Sequence, residues 1–504
     1  MGVKFSSGRK AVSSDHYLAS LAGIKVLENG GNAFDAAIAV SAVLSVVQPH
    51  LGGPGGDGFL LGFMGDEVIA YASAGRSPSG FDPAKYIAEK PTRGPLTVTV
   101  PGLVHLWGFV SEEYGSMSLG DLLRPAISLA YNGFYAGYSL ASASRIVEKE
   151  LANYRVSRYY SNIRPGDLMV NRDMARALRL IATRGWEDFY YGSLAEEIVG
   201  ELQDQGVEIG LDDLMEHESY RVTPLKLEAS DGKVLYELPP STQGATSLQL
   251  VSALYELGLD KYSFEDPARI SAWFEPTRLT YAFRDLFIAD PDYMTISIEE
   301  YLTYSVAKKA VEITQPISTN MGGDTTFFVV TDGETMIGFI QSLFHPFGSG
   351  LVAAGFPVQA RGTGFATKTG LPNSPAPRKI PLHTLSIMGV ENEGDKYIIG
   401  CVGGHLRPQL HLRVYENLFV YKMDIVKALN APRFYYVDLG SEQPKLVVEE
   451  PLKNPPVNNQ SLAIERTGYQ ASNGHVHIGV LRKSGAPVLA NDPRSEGIAI
   501  STLL

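Results

Sequence analysis

A single cysteine in 504 residues, Cys401, excludes an internal disulfide and any cysteine-built metal site. Charge is sparse too. Charged residues make up 19% of the chain, and the net balance of −12 has no Lys/Arg cluster set against it. The general electrostatic basis for holding nucleic acid or an anionic membrane is therefore missing. Long hydrophobic runs are absent as well: the richest stretch, AAIAVSAVLSVVQPHL, is too short for a membrane span and is broken at Pro49. The opening MGVKFSSGRKAVSSD lacks the apolar core of a signal peptide, so a cytoplasmic location is the expectation. What is plentiful is core material, with 44% hydrophobic residues, 26 Tyr and 21 Phe, which marks a large folded globule and not a disordered chain.

The first third reads as helical. Apolar residues between His16 and Asn29 recur at helical spacing up to the stop Gly30-Gly31, and Asn32 caps a second helix, Ala33 to Val47, apolar on nearly every side. The loop Gly52-Gly53-Pro54-Gly55-Gly56-Asp57-Gly58 lacks the Lys-Ser/Thr ending of a phosphate-binding loop; close backbone packing is the expected use of its glycines. Residues 100–290 continue as helices with polar loops. From Thr325 the pattern changes to alternating strands around the turn Asp332-Gly333, followed by strands near 386–390, 397–400, 476–481 and 487–490. Helices packed on stacked antiparallel sheets give a four-layer α+β architecture.

The segment Gly322-Gly323-Asp324-Thr325-Thr326 places a hydroxyl residue at the entrance of that first strand. If the chain is cut between Asp324 and Thr325, the new α-amine lies beside the Thr325 hydroxyl. That supplies nucleophile and base together, because an α-amine with a pKa near 8 is partly unprotonated at neutral pH. Thr326 faces the other side of the strand.

Together with LENGGNAFDAA, PPSTQGATSLQL, IQSLFHPFGSG, PLHTL, GCVGGHL and NDPRS, this junction resembles the γ-glutamyltranspeptidase family of N-terminal nucleophile hydrolases, from about Gly8 to Ile498. GGDT, FGSG, PLHTL and VGGH look closer to its acyltransferase-like, transpeptidase-related branch. The resemblance implies self-cleavage into pieces 1–324 and 325–504 that stay interlocked, an αββα fold, no cofactor and no metal. It also implies Thr325 as nucleophile, Ser342 as its supporting hydroxyl, and the backbone N–H groups of Gly403 and Gly404 as the oxyanion site. The partner is a small amide or peptide substrate; homo-oligomers of the processed heterodimer are compatible with this organisation.

The departures lie in the substrate pocket. An amide residue that binds the glutamyl group is replaced by Phe344, and the element with the amine-binding carboxylate reads Gln359-Ala360-Arg361-Gly362-Thr363-Gly364-Phe365. A Ser-Ser pair becomes His383-Thr384, and Arg76 stands about two positions from the arginine the family leads one to expect. Catalytic residues look kept while the γ-glutamyl clamp looks lost. That favours an amidohydrolase or acyltransferase whose acyl donor carries a terminal acid, or none, without an α-amine. A true γ-glutamyltransferase with a rebuilt clamp, acting in glutathione metabolism, and an unprocessed, catalytically silent binding protein are the alternatives. Cys401 reads as core packing, the His475/His477 pair as surface display, and Asn491-Asp492-Pro493-Arg494 as a structural turn.

Overall fold

A computed structural model describes residues 2–311, 324–453, 455, 462–470 and 473–502; of Asp324 it describes the backbone. Two seven-stranded antiparallel sheets lie face to face. One runs in the order Lys4–Ser7, Val488–Asn491, His475–Leu481, Asp395–Val402, Met388–Asn392, Val234–Glu237, Leu225–Glu228. The other runs Ile498–Ser501, Ala11–Ser14, Asp324–Thr331, Thr335–Phe344, Asp57–Met64, Glu67–Ser73, Tyr220–Arg221. Each sheet takes strands from both sides of residue 324.

Alternation along the strands builds the layers. Phe327 and Val329 point between the sheets, where they meet Phe59, Leu61, Met336, Ile340, Ile387 and Ile398. Phe328 and Val330 point the opposite way, into a core shared with the Tyr17–Glu28, Ala33–Val47 and Leu103–Tyr114 helices. Ile399, Cys401, Val476 and Ile478 face a third core under the Gly244–Glu256, Phe274–Phe287 and Arg407–Tyr415 helices. Helices therefore cover both outer faces, the αββα sandwich expected from the sequence.

Local chemistry fixes the elements nearest the site. Asn32 and Asp35 form a reciprocal capping box, and every residue of Ala33–Val47 is buried, as its all-round apolar sequence requires. The turn Asp332-Gly333 joins strands Asp324–Thr331 and Thr335–Phe344 into a hairpin in the middle of its sheet. That pairing slips at one end: Asp324 opposes Phe344 but Thr326 opposes Gln341, so Thr325 faces two residues, Ser342 and Leu343. Such a bulge re-aims side chains and is common beside active sites. Phe344 closes it with a positive φ of 76°, a strained value for a bulky side chain. Strands not anticipated from the sequence include the polar Lys4–Ser7 and Ala11–Ser14, the closing Ile498–Ser501, and a small sheet of Phe434–Val437, Lys445–Glu449 and Ala463–Thr467. Tyr220–Arg221, Leu225–Glu228 and Val234–Glu237 also interrupt the stretch 100–290 read as helical, because their sheet neighbours decide them.

Candidate active site

Thr325 sits at the bulge, fully buried, with Oγ1 3.3 Å from Ser342 Oγ. Ser342 Oγ also accepts the Phe344 N–H at 2.8 Å, which holds the hydroxyl in place across the slipped register. Gly322 and Gly323 of the junction lie outside the described residues. Thr326, one residue on, is directed with Phe328 toward the helix-covered face, and its hydroxyl is buried there.

The second sheet delivers the other groups. Strand Asp395–Val402 ends at Gly403 and Gly404, whose φ values of 158° and 51° suit residues without a side chain. They open the short helical turn Gly404–Leu406 and the Arg407–Tyr415 helix behind it, so the first N–H groups here have no partner within the helix itself. Arg407, fully buried, ties this turn to the nucleophile. Its Nε donates to Cys401 O at 2.9 Å, Nη1 to Thr384 O and to Gly404 O at 3.4 Å, and Nη2 to Thr325 Oγ1 at 3.3 Å. A fixed guanidinium against a hydroxyl favours its alkoxide form. Gln243 supports the same turn, donating at 2.8 Å to both Thr384 O and Gly404 O, and is held by Arg284 Nη1 at 2.9 Å.

Asp57, at the end of the glycine loop, organises the far wall. Its Oδ1 accepts the N–H groups of Gly75 and Gly102 at 3.1 and 3.2 Å and Gln359 Nε2 at 2.9 Å; Oδ2 faces His383 Nε2 at 3.1 Å. Burial pushes the carboxyl up to about 7, against the opposing pull of Arg361 and these donors. The loop before it packs as its glycines suggested: a Cβ on Gly55 would stand 2.2 Å from Pro357 O. His383 was expected at the substrate, yet both of its nitrogens are committed, Nε2 to Asp57 and Nδ1 to the Leu385 N–H at 3.3 Å. Burial, then Arg361 and Arg407, hold it well below the usual imidazole range, so the ring is neutral and positions Asp57.

Arg361 and Phe344 do come together with Thr384. The guanidinium lies 4.5 Å from the Phe344 ring centroid and donates through Nη1 to Thr384 Oγ1 at 3.3 Å. It is fully buried, and among the described residues its Nε and Nη2 have no hydrogen-bond partner. Burial lowers its pKa to about 9, with Asp57 opposing and Arg407 adding to the fall. Arg76 is drawn elsewhere: it pairs with Asp290 at 2.8 Å and Asp292 at 3.0 Å and donates to Arg378 O. Among the described residues, these partners are not Thr325, Phe344 or Arg361.

Three further sequence features have wider partners than expected. His475 and His477 are buried, not displayed, and converge on Asp15. Cys401 is core, as expected, but it does have a histidine neighbour. Although burial opposes it, Cys401 and Glu237 together push His411 up to about 9. The turn at Asp492 is more than local: Arg433 and Arg494 both pair with Asp492, and Arg494 also with Glu449, all four side chains buried. Sequence reasoning missed Arg407, Asp57 and Gln243, although each lies inside or beside a motif it had singled out (GCVGGHL, the glycine loop, PPSTQGATSLQL).

Known proteins resemble this chain along most of its length. A glutathione hydrolase-like YwrD proenzyme of Bacillus subtilis is 34% identical over 450 residues, covering 85% of each chain. An oxamate amidohydrolase proenzyme of Klebsiella pneumoniae is 29% identical over 516 residues, covering 96% of this chain and 97% of its own. In structure, a cephalosporin acylase from Bacillus halodurans superposes with a TM-score of 0.86 over 100% of this chain and 97% of its own, at 24% identity, a likeness of fold. The sequence profile described as Gamma-glutamyltranspeptidase matches residues 19–502, and with the sandwich and the Thr325 hairpin in view, the chain belongs to the γ-glutamyltranspeptidase family.

Proposed function

We propose that the chain cuts itself between Asp324 and Thr325, and that Thr325 then acts as the nucleophile of an amidohydrolase or acyltransferase for small amides. The observation that carries this is the Thr325 hydroxyl, held between Ser342 Oγ and Arg407 Nη2 at 3.3 Å from each. In the cut, Thr325 Oγ attacks the Asp324 carbonyl carbon, the C–N bond breaks, and the nitrogen leaves as the Thr325 α-amine. Water then hydrolyses the resulting ester, freeing the Asp324 carboxylate and the hydroxyl. The pieces 1–324 and 325–504 remain one folded unit because each sheet draws strands from both.

In turnover the α-amine takes the hydroxyl proton as Oγ attacks the substrate amide, and the Gly403 and Gly404 N–H groups receive the oxyanion. The amine product departs with that proton, and water or an acceptor amine resolves the ester. Arg361 supports the choice of acyl group. A buried guanidinium with two donors unpartnered among the described residues suits a carboxylate, whereas the ammonium of a γ-glutamyl donor would be set against the Phe344 ring and a like charge. Acid amides lacking an α-amine are therefore the proposed substrates, the chemical class that contains oxamate, named for one relative.

Intact mass of the purified protein tests the cut: fragments 1–324 and 325–504 are expected, and a permanently single chain returns the silent binding protein. On the processed enzyme, kcat/KM for glutaryl and γ-glutamyl anilides is compared. A γ-glutamyl preference of about tenfold or more, roughly 1.4 kcal/mol, establishes the rebuilt-clamp reading instead.

A further inference from the structure

Beyond the contacts of Thr325, the two sheets enclose a second polar cluster between their inner faces. Asp15, just past strand Ala11–Ser14, lies 2.7 Å through Oδ1 from His475 Nε2 and 2.8 Å from His477 Nε2. The two histidines occupy alternate positions of strand His475–Leu481 and so share its inward face. All three are buried, and their ligand atoms lie within 4.8 Å of one another.

We infer that Asp15, His475 and His477 form a binding site for one zinc-class divalent cation. Two imidazoles and a carboxylate are a ligand set that zinc takes, and a tetrahedral site with bonds of about 2.0–2.1 Å puts ligand atoms about 3.3 Å apart. Opening the two Asp15 contacts by roughly half an ångström meets that spacing on both edges, and the two histidine nitrogens already lie within 4.8 Å of one another. The outer contacts suit it too. His477 Nδ1 lies 2.9 Å from Ser13 Oγ, which in turn reaches Ala490 O at 3.4 Å. With Ser13 Oγ accepting from Nδ1–H, the Nε2 proton that now faces Asp15 is the one an ion would displace, leaving Nδ1–H as the usual outer support of a metal-bound histidine. Asn491 Nδ2 is 3.3 Å from the same nitrogen but also donates to Ser14 O at 3.1 Å. The second carboxylate oxygen of Asp15 accepts the Phe327 N–H at 3.1 Å, so the ion leaves it in place. His475, at 8% exposure, marks the side from which an ion and a completing water enter.

The position gives such an ion a role. Its ligands come from the two sheets and from both sides of residue 324, and Asp15 holds the strand two residues beyond Thr325. A bound cation would staple the sheets together at the end of the sandwich next to the nucleophile.

The full chain, freed of metal with a chelator, is titrated with ZnCl2 by calorimetry, and zinc is counted after gel filtration. One zinc per chain and a rise of several degrees in Tm are expected, since a ligand of the native state alone stabilises it. His475→Ala keeps the Asp15–His477 contact and should fold with wild-type circular dichroism, yet lose both the zinc and the Tm rise. Ser13→Ala should keep binding but weaken it roughly tenfold to a hundredfold. Wild-type protein that retains no zinc, or a folded His475→Ala that retains as much as wild type, overturns the assignment and leaves an Asp–His ion pair only.

Discussion

Thr325 Oγ1 faces Ser342 Oγ at 3.3 Å across a slipped strand pair, and the same serine oxygen is fixed by the Phe344 N–H. The bulge, the strained Phe344 backbone and the hydroxyl pair thus form one device that aims Thr325 away from ordinary strand geometry. Thr325→Ala should leave a chain of 504 residues on a denaturing gel and in intact mass. Thr325→Ser should still be cut, because the hydroxyl survives, and Thr326→Ala should be cut at close to the wild-type rate, because residue 326 points toward the helices. Processing of the Thr325→Ala chain at wild-type speed removes the nucleophile assignment.

Ser342 is expected to act through Thr325 and not on substrate directly. Losing one hydrogen bond of about 1–1.5 kcal/mol in the transition state lowers kcat by roughly tenfold in Ser342→Ala, with KM nearly unchanged. Ser342→Thr keeps the hydroxyl and should recover most of the rate. A Ser342→Ala enzyme altered in KM alone would assign this residue to binding.

The Gly403-Gly404 turn acts through its backbone. Removing one oxyanion donor costs roughly 3 kcal/mol of transition-state stabilisation, about two orders of magnitude in turnover. Gly404→Val forces a branched side chain onto a φ of 51°, and on Gly403 even a Cβ would approach Leu410 Cδ1 to 2.7 Å. Turnover of the folded Gly404→Val protein on a processed background is the measurement, and normal kinetics there would falsify the oxyanion role.

The legible parts of this molecule were those that local chemistry writes into neighbouring residues. Asn32 announced a helix start, the unbroken apolar run behind it a buried helix, and Asp332-Gly333 a hairpin. Thr325, Ser342 and the glycine pair could be singled out because each sits in a distinctive short motif, and the fold brings Thr325 and Ser342 to 3.3 Å. Arg407 could not, since its contact with Thr325 spans 82 residues and nothing in HLRPQ says where the guanidinium turns. Asp15 and His477, 462 positions apart, meet because the Ser-rich strand Ala11–Ser14 pairs between Ile498–Ser501 and Asp324–Thr331, in the sheet that faces strand His475–Leu481. Short polar strands such as Lys4–Ser7 carry almost no alternation, so their pairing partners decide them. His383 misled for a related reason: its place in PLHTL was read correctly, but its partner Asp57 came from a glycine loop 326 residues earlier.

Arg361 should set acyl-group choice. Arg361→Gln keeps a polar side chain but removes the charge facing the acid end of the substrate. A hydrogen bond to a charged group is worth about 1.5–3 kcal/mol, so kcat/KM for a glutaryl anilide should fall by roughly ten- to a hundredfold or more. An anilide without the acid should lose much less. Equal losses on both donors would show that Arg361 serves the fold and not the substrate.

The last expectation concerns Asp57 and pH. Its carboxyl is raised to about 7 by burial, from an unfolded value near 3.8. Between those values the native chain holds a proton there that the unfolded chain has released. Stability from this group is therefore greatest at the acid end of that window and declines as pH rises through 7, where the buried carboxylate must be charged. Asp15 works in the opposite direction. Burial alone would raise it, but the charges and hydrogen bonds of His475 and His477 hold it well below the usual carboxylate range, so its contribution is lost on acidification. The raw stability curve mixes the two, and the difference between wild type and Asp57→Asn isolates the first. In urea titrations from pH 4 to 8, that difference should change by a few kcal/mol, the variant gaining on wild type as pH rises. His383 gives a second readout, because its Nε2–H meets an amide in place of a carboxylate. Loss of that charged partner should displace Arg361 as well, so glutaryl-anilide KM should rise in Asp57→Asn with kcat less affected. A wild-type-minus-variant difference that stays flat across this pH range would show that Asp57 remains ionised throughout, held by its four donors against the cost of burial.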